Sequence, residues 1–162
     1  SKIGKRARLF QNRPEDSETI IRYEEEQSMK ESVYAMKQAT AKVGQLYSRI
    51  LPEGWTNFEL HAYYPAKAAD EYYPLYSMDG GKTWKELMED TQNNDDLLLD
   101  ILDAQDAAKD LHALCEMEED CWTELTYTLT SAGKFDCDFG YQKMDFVSMT
   151  QRKAWHDKAK QG

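Results

Sequence analysis

Met29, Val33, Met36, Thr40, Val43, Tyr47 and Ile50 follow one another at alternating spacings of four and three, which predicts a helix with a single buried stripe. Its start is open between Ser17 and Ser28. Its end is expected at Leu51-Pro52-Glu53-Gly54, because proline disfavours helix at the preceding residue and glycine permits a tight exit. Phe58, Leu60, Ala62 and Tyr64 then alternate with Glu59, His61 and Tyr63, the period of a half-buried strand. After the loop Pro65–Asp70, Glu71–Ser77 reads as a second strand whose Pro74 suits an edge or a strand end, so the two form a hairpin. Thr83-Trp84-Lys85-Glu86 has the form of a capping box and predicts a short helix to about Thr91.

A longer helix is expected from the cap residue Asn94 to about Glu119. Leu97, Leu98, Ile101, Leu102, Ala108, Leu111 and Cys115 fall on one side of it, and Asp96, Asp100, Asp103, Asp106 and Asp110 on the other. Trp122–Thr130 and Lys134–Tyr141 alternate around a Ser131-Ala132-Gly133 turn and predict a second hairpin. Asp145–Lys160 is again compatible with helix, with Phe146, Met149 and Lys153 on a shared side. The fold class that follows is α+β: a small antiparallel sheet of about four strands in two hairpins, flanked by helices.

The 162 residues suit one domain, read as residues 29–162, with residues 1–28 as a basic arm or extension. No apolar run approaches the roughly 18 residues of a membrane span, and no apolar leader is evident, so a cytoplasmic protein is expected. The formal charge of −10 argues against nucleic acid or an anionic membrane as partner. From Lys85 to Asp145 there are 17 acids against 4 lysines, while residues 1–13 hold five bases and no acid, so the acidity belongs to the second half. Cys115, Cys121 and Cys137 form no C-x-x-C pair, and they are expected to be small buried hydrophobes rather than a disulfide framework or a zinc site.

The aspartate row is the strongest candidate for function. A solvated helix face is its commonest meaning. Yet aspartate is a weak helix former, the row repels itself at i and i+4, and only Lys109 lies close enough to offset it, so a surface meeting a basic partner explains what stability alone would not select. A metal site on the row is disfavoured, since no calcium-loop pattern is present. Asp136 and Asp138, a D-x-D pair beside Lys134, are the residues a metal-dependent phosphohydrolase would use, but alternating polar residues are also what the open side of any antiparallel sheet shows. Ser77–Trp84 has the S-x-D-x-G-x-T-W pattern of an Asp box; a single copy means a turn, with Asp79 bonding the backbone two residues on. His61, His112 and His156 have no metal-ligand spacing, and no motif of a nucleophilic or zinc enzyme occurs.

Trp122–Leu129, Gly133-Lys134-Phe135 and Asp138–Tyr141, followed by Arg152 and Trp155 and preceded by Pro52, Trp55 and Tyr63-Tyr64, resemble the pattern of the YezG-like immunity proteins, which are bacterial antitoxins. The resemblance covers about Met29 to Trp155. It implies an α+β fold, no enzymatic activity, and a co-encoded toxin as partner, often a nuclease; no cofactor or metal is expected. A nuclease carries a cationic groove that an acidic protein can occupy in place of a phosphate backbone. The expected toxin-facing residues are Asp96, Asp100, Asp103, Asp106 and Asp110, with Glu116, Glu118, Glu119 and Asp120 at the turn that follows. The family contributes no contact residue to that set. The rival classes are the Asp136/Asp138 phosphohydrolase and an adaptor that binds a partner unrelated to toxins.

Overall fold

The computed structural model describes residues 14–143 and 149–161. Helix α1 spans Pro14–Ile50, starting earlier than either serine, with proline in the first turn where its missing N–H is harmless. The chain divides into two units within this helix, Ser1–Gln38 and Ala39–Gly162. In the first, Met29 is 68% and Val33 53% exposed, so the expected buried stripe fails there. In the second, Thr40, Val43 and Tyr47 are buried. Periodicity marks the face a helix could bury; whether a partner covers it is decided elsewhere. α1 stops where expected, with Gly54 at φ 89° and the Trp55 N–H donating to the Pro52 carbonyl.

The remaining elements are β1 (Asn57–Tyr63), β2 (Glu71–Ser77), β3 (Lys85–Glu86), a 3-10 helix (Leu87–Thr91), α2 (Asp95–Ala113), β4 (Glu124–Thr130), β5 (Phe135–Gly140) and α3 (Met149–Gln161). The strands form one antiparallel sheet in the order β3-β2-β1-β4-β5, five rather than about four. The additional strand replaces the first turn of the expected capping-box helix. The Thr83 N–H and hydroxyl are taken by the Asp79 carboxylate and the Glu86 carboxylate by the Tyr73 hydroxyl, which leaves Lys85 and Glu86 to pair with Tyr76 and Leu75.

Pro74 lies inside β2, opposite Leu60. The Tyr64 N–H donates to the Thr123 carbonyl and the Ser131 N–H to the Thr56 carbonyl, so even-numbered β1 residues bond β4 and odd-numbered ones bond β2. The pairing of Pro74 with Leu60 is therefore one without hydrogen bonds. The missing N–H falls on the outer side of β2, beyond the reach of the two-residue β3.

Phe58, Leu60 and Ala62 on β1 stand across from Leu129, Tyr127 and Leu125 on β4, all buried, and this sheet face packs on helices α1 and α2. Tyr47 lies against Phe58 with ring centroids 4.5 Å apart, and the Tyr64 hydroxyl donates to the Ala108 carbonyl of α2 at 3.1 Å. Each fully buried large side chain contributes roughly 1.5–3 kcal/mol. On α2, Ile101, Ala104, Ala107, Ala108 and Leu111 are buried, whereas Leu102, expected with them, is exposed. Three alanines on the inner side bring the α2 backbone close enough for the Tyr64 bond. The opposite sheet face buries Tyr63, Tyr73 and Leu75 under Trp155 and Ala159 of α3. Of the side expected for that helix, Lys153 is exposed and Phe146 lies outside the described residues.

Gly44 is where α1 meets β4. The Tyr127 hydroxyl donates to the Thr40 carbonyl at 2.7 Å, and a Cβ on Gly44 would stand 2.5 Å from that hydroxyl oxygen. Alanine normally stabilises a helix interior by about 1 kcal/mol over glycine. Here Gly44→Ala should destabilise by about 1–3 kcal/mol in urea unfolding, and the same change in a Tyr127→Phe background should be neutral or stabilising. Equal effects in the two backgrounds would place the close approach elsewhere.

Candidate functional site

Asn94 caps α2 by accepting the Leu97 N–H at 3.1 Å, so the aspartate row begins where the sequence sets it. Asp96, Asp100, Asp103, Asp106 and Asp110 are all exposed along α2. Among the described residues, none of the five is ion-paired with a lysine or arginine.

The helix ends at Ala113, six residues before Glu119, and the acids beyond it lie on a loop. Cys115 and Cys121 are joined by a disulfide, with Cα atoms 5.1 Å apart, which corrects the expectation that they are free hydrophobes. Had α2 continued, residues six apart would be separated by roughly 9 Å along its axis and could not be bridged. Successive turn bonds, from Cys115 N–H to His112 C=O, Glu118 N–H to Cys115 C=O and Cys121 N–H to Glu118 C=O, fold the chain back. Glu116, Glu118, Glu119 and Asp120 are thereby held, exposed, on a closed loop directly after the aspartate row.

His112 anchors this loop to the sheet. Its ring stacks on Tyr64 at 4.0 Å, its Nε2 lies 3.0 Å from the Trp122 carbonyl and 3.5 Å from Cys121 Sγ, and its Nδ1 lies 3.9 Å from Glu116. A cleft of about 500 Å³ opens beside it, lined by Tyr64, Lys67, His112, Glu116, Trp122 and Lys143 among others. Nothing in the spacing of His112, Tyr64 and Cys121 forecasts this cluster, because it depends on how α2 packs against the sheet and on the path of the chain after it.

The other candidates lie elsewhere. Asp136 and Asp138 are exposed on β5, opposite Thr128 and Thr126. Asp138 also borders a second cleft, of about 260 Å³, with His61, Glu124, Thr126, Trp155 and Lys158. Among the described residues no three His, Cys, Asp or Glu side chains come close enough together to hold a metal ion. Cys137 is half-buried on β5, and burial, then the neighbouring Asp136, pushes its thiol up to about 12. His61 contacts Glu59 at 3.0 Å, and His156 stacks on Tyr73 at 4.0 Å while reaching Glu71. The Ser77–Trp84 segment closes as a turn, but the Asp79 carboxylate takes the Thr83 N–H at 2.9 Å, four residues on rather than two, and the Thr83 hydroxyl at 2.7 Å. Those donors, with the Ser77 hydroxyl, hold the Asp79 carboxyl well below the usual range. No described helix is long and apolar enough to cross a membrane.

An antiparallel sheet with helices on both faces, with exposed aspartates along one helix and exposed acids on the loop after it, defines an α+β protein. Residues 36–160, most of the chain, match the family described as Immunity protein YezG-like, and the chain belongs to that family. Its role is that of an immunity protein, which binds a cognate toxin. Comparison with curated proteins found no match.

The staple should be measurable. Thiol titration of the denatured, unreduced protein is expected to find Cys137 alone, and all three cysteines after reduction. Closing so short a loop contributes about 2 kcal/mol on the chain-entropy account, so Cys115→Ser with Cys121→Ser should lower unfolding stability by about that amount. Three thiols before reduction would remove the bond.

Proposed function

We propose that this chain neutralises a co-encoded antibacterial toxin, a nuclease, by laying the acidic side of α2 and the loop after it over the toxin's cationic nucleic-acid groove. The observation that carries this reading is that all nine acids, from Asp96 to Asp120, are exposed on α2 and the loop closed by the disulfide. Family membership supplies the kind of partner. Like charges held together against their own repulsion cost stability in the free protein and are neutralised when a basic surface arrives. The toxin is blocked by occupancy of its groove, so inhibition is stoichiometric and needs no catalytic residue or cofactor here. In this reading residues 29–162 are the immunity domain, residues 1–28 an extension to it, and the bacterial cytoplasm the place of action.

The test is co-expression with the toxin domain encoded beside this gene, followed by binding measurements on the purified pair. Asp100→Lys, Asp103→Lys and Asp106→Lys together should weaken the complex at least about ten-fold at about 0.15 M salt and abolish rescue of the cells, with the fold intact by circular dichroism. The wild-type affinity should fall steeply as salt is raised. Unchanged affinity in the triple variant would sink the acidic-occlusion mechanism; absence of any complex would sink the toxin partnership.

A further inference from the structure

The sheet ends differently on its two sides. On one, β2 is followed only by the two-residue β3, and Pro74 removes a donor where β3 stops. On the other, β5 offers six residues without proline, and among the described residues no strand lies beyond it. The Thr130 N–H donates to the Lys134 carbonyl at 2.9 Å, which sets the parity of the hairpin. The backbone groups of Asp136 and Asp138 therefore turn towards β4, and those of Phe135, Cys137 and Phe139 turn outwards. Such a row of outward N–H and C=O groups is a template for another strand.

The side chains say which strand. Asp136 and Asp138 lie on one face of β5, next to the cleft that also holds Glu124. On the other face Phe135 is 46% exposed, and just past the strand Tyr141 is 61% exposed. A second copy of β5 laid antiparallel would set Asp136 against Asp138, and a shift of one repeat either way would set one of them against itself. Like charges directly opposite one another are destabilising. The edge thus repels its own kind while accepting a strand of opposite charge, with apolar residues towards Phe135 and Phe139.

We infer that β5 is a docking edge for an extended segment of the toxin in which lysine or arginine alternates with apolar residues, added to the sheet as a sixth strand. This rests on the proposed toxin partnership and adds to it a backbone contact that the acidic row does not supply. Main-chain bonds give such an added strand its affinity, and the Asp136/Asp138 face gives it selectivity.

The experiment is amide hydrogen exchange on the full chain, free and with the toxin domain encoded beside the gene, together with the affinities of two variants. The amides of Phe135, Cys137 and Phe139 should exchange at least about ten-fold more slowly in the complex. Cys137→Pro removes an outward N–H and no bond to β4, a substitution that edge strands tolerate, and should weaken binding at least about ten-fold. Asp136→Lys with Asp138→Lys leaves the backbone untouched and should weaken it similarly, which keeps the inference testable even where the proline variant fails to fold. A complex that forms and rescues cells, but leaves those amides unprotected and tolerates the double charge reversal, would overturn the edge while leaving the immunity role standing. No complex at any salt would overturn the toxin partnership, and with it this occupant.

Discussion

Everything in the unit from Ala39 onwards depends on β1 being covered from all sides. It is the middle strand, bonded to β2 along one edge and β4 along the other, and Phe58 and Leu60 to Tyr64 are all buried. A strand with a neighbour on each edge and helices on each face has every backbone group paired and little surface left, so its register admits no slip: a one-residue shift would turn Phe58, Leu60 and Ala62 away from the core. The helices are held to that frame by single polar contacts with no slack, the Tyr127 hydroxyl on the α1 carbonyl of Thr40 and the Tyr64 hydroxyl on the α2 carbonyl of Ala108. Both work because small residues, Gly44 and the alanines of α2, let the helix backbone approach.

The end of α2 links this frame to the charge it carries. Tyr64 continues from β1, and His112 stacks on it; His112 in turn reaches the Trp122 carbonyl and the sulfur of Cys121. With α2 stopped at Ala113, Cys115 and Cys121 close a loop whose interior is almost entirely acidic. The aspartates are carried on a packed helix, and the acids that follow them on a loop closed by a disulfide.

The two margins of the sheet show how the same fold can be closed on one side and receptive on the other. Pro74 and the short β3 finish one margin with an absent donor and a turn into the 3-10 helix. β5 keeps its outward donors and acceptors and guards them only with charge. Charge discriminates between partners where proline would refuse them all.

The sequence by itself determined most of the elements and the exposed row. Alternation at Phe58–Tyr64 and at Glu124–Thr130, the Asn94 cap, the Pro52-Gly54 stop and the spacing of the five aspartates act over one or two turns of chain, and they emerge where local pattern places them. The tertiary structure decided what depends on residues distant in sequence. Whether Met29 and Val33 are covered, whether Glu86 begins a helix or accepts from Tyr73 beside a fifth strand, and where α2 stops are competitions between a local preference and a partner brought in from elsewhere. The Cys115–Cys121 bond followed from that last choice. A helix carried through to Glu119 would have kept the two sulfurs apart.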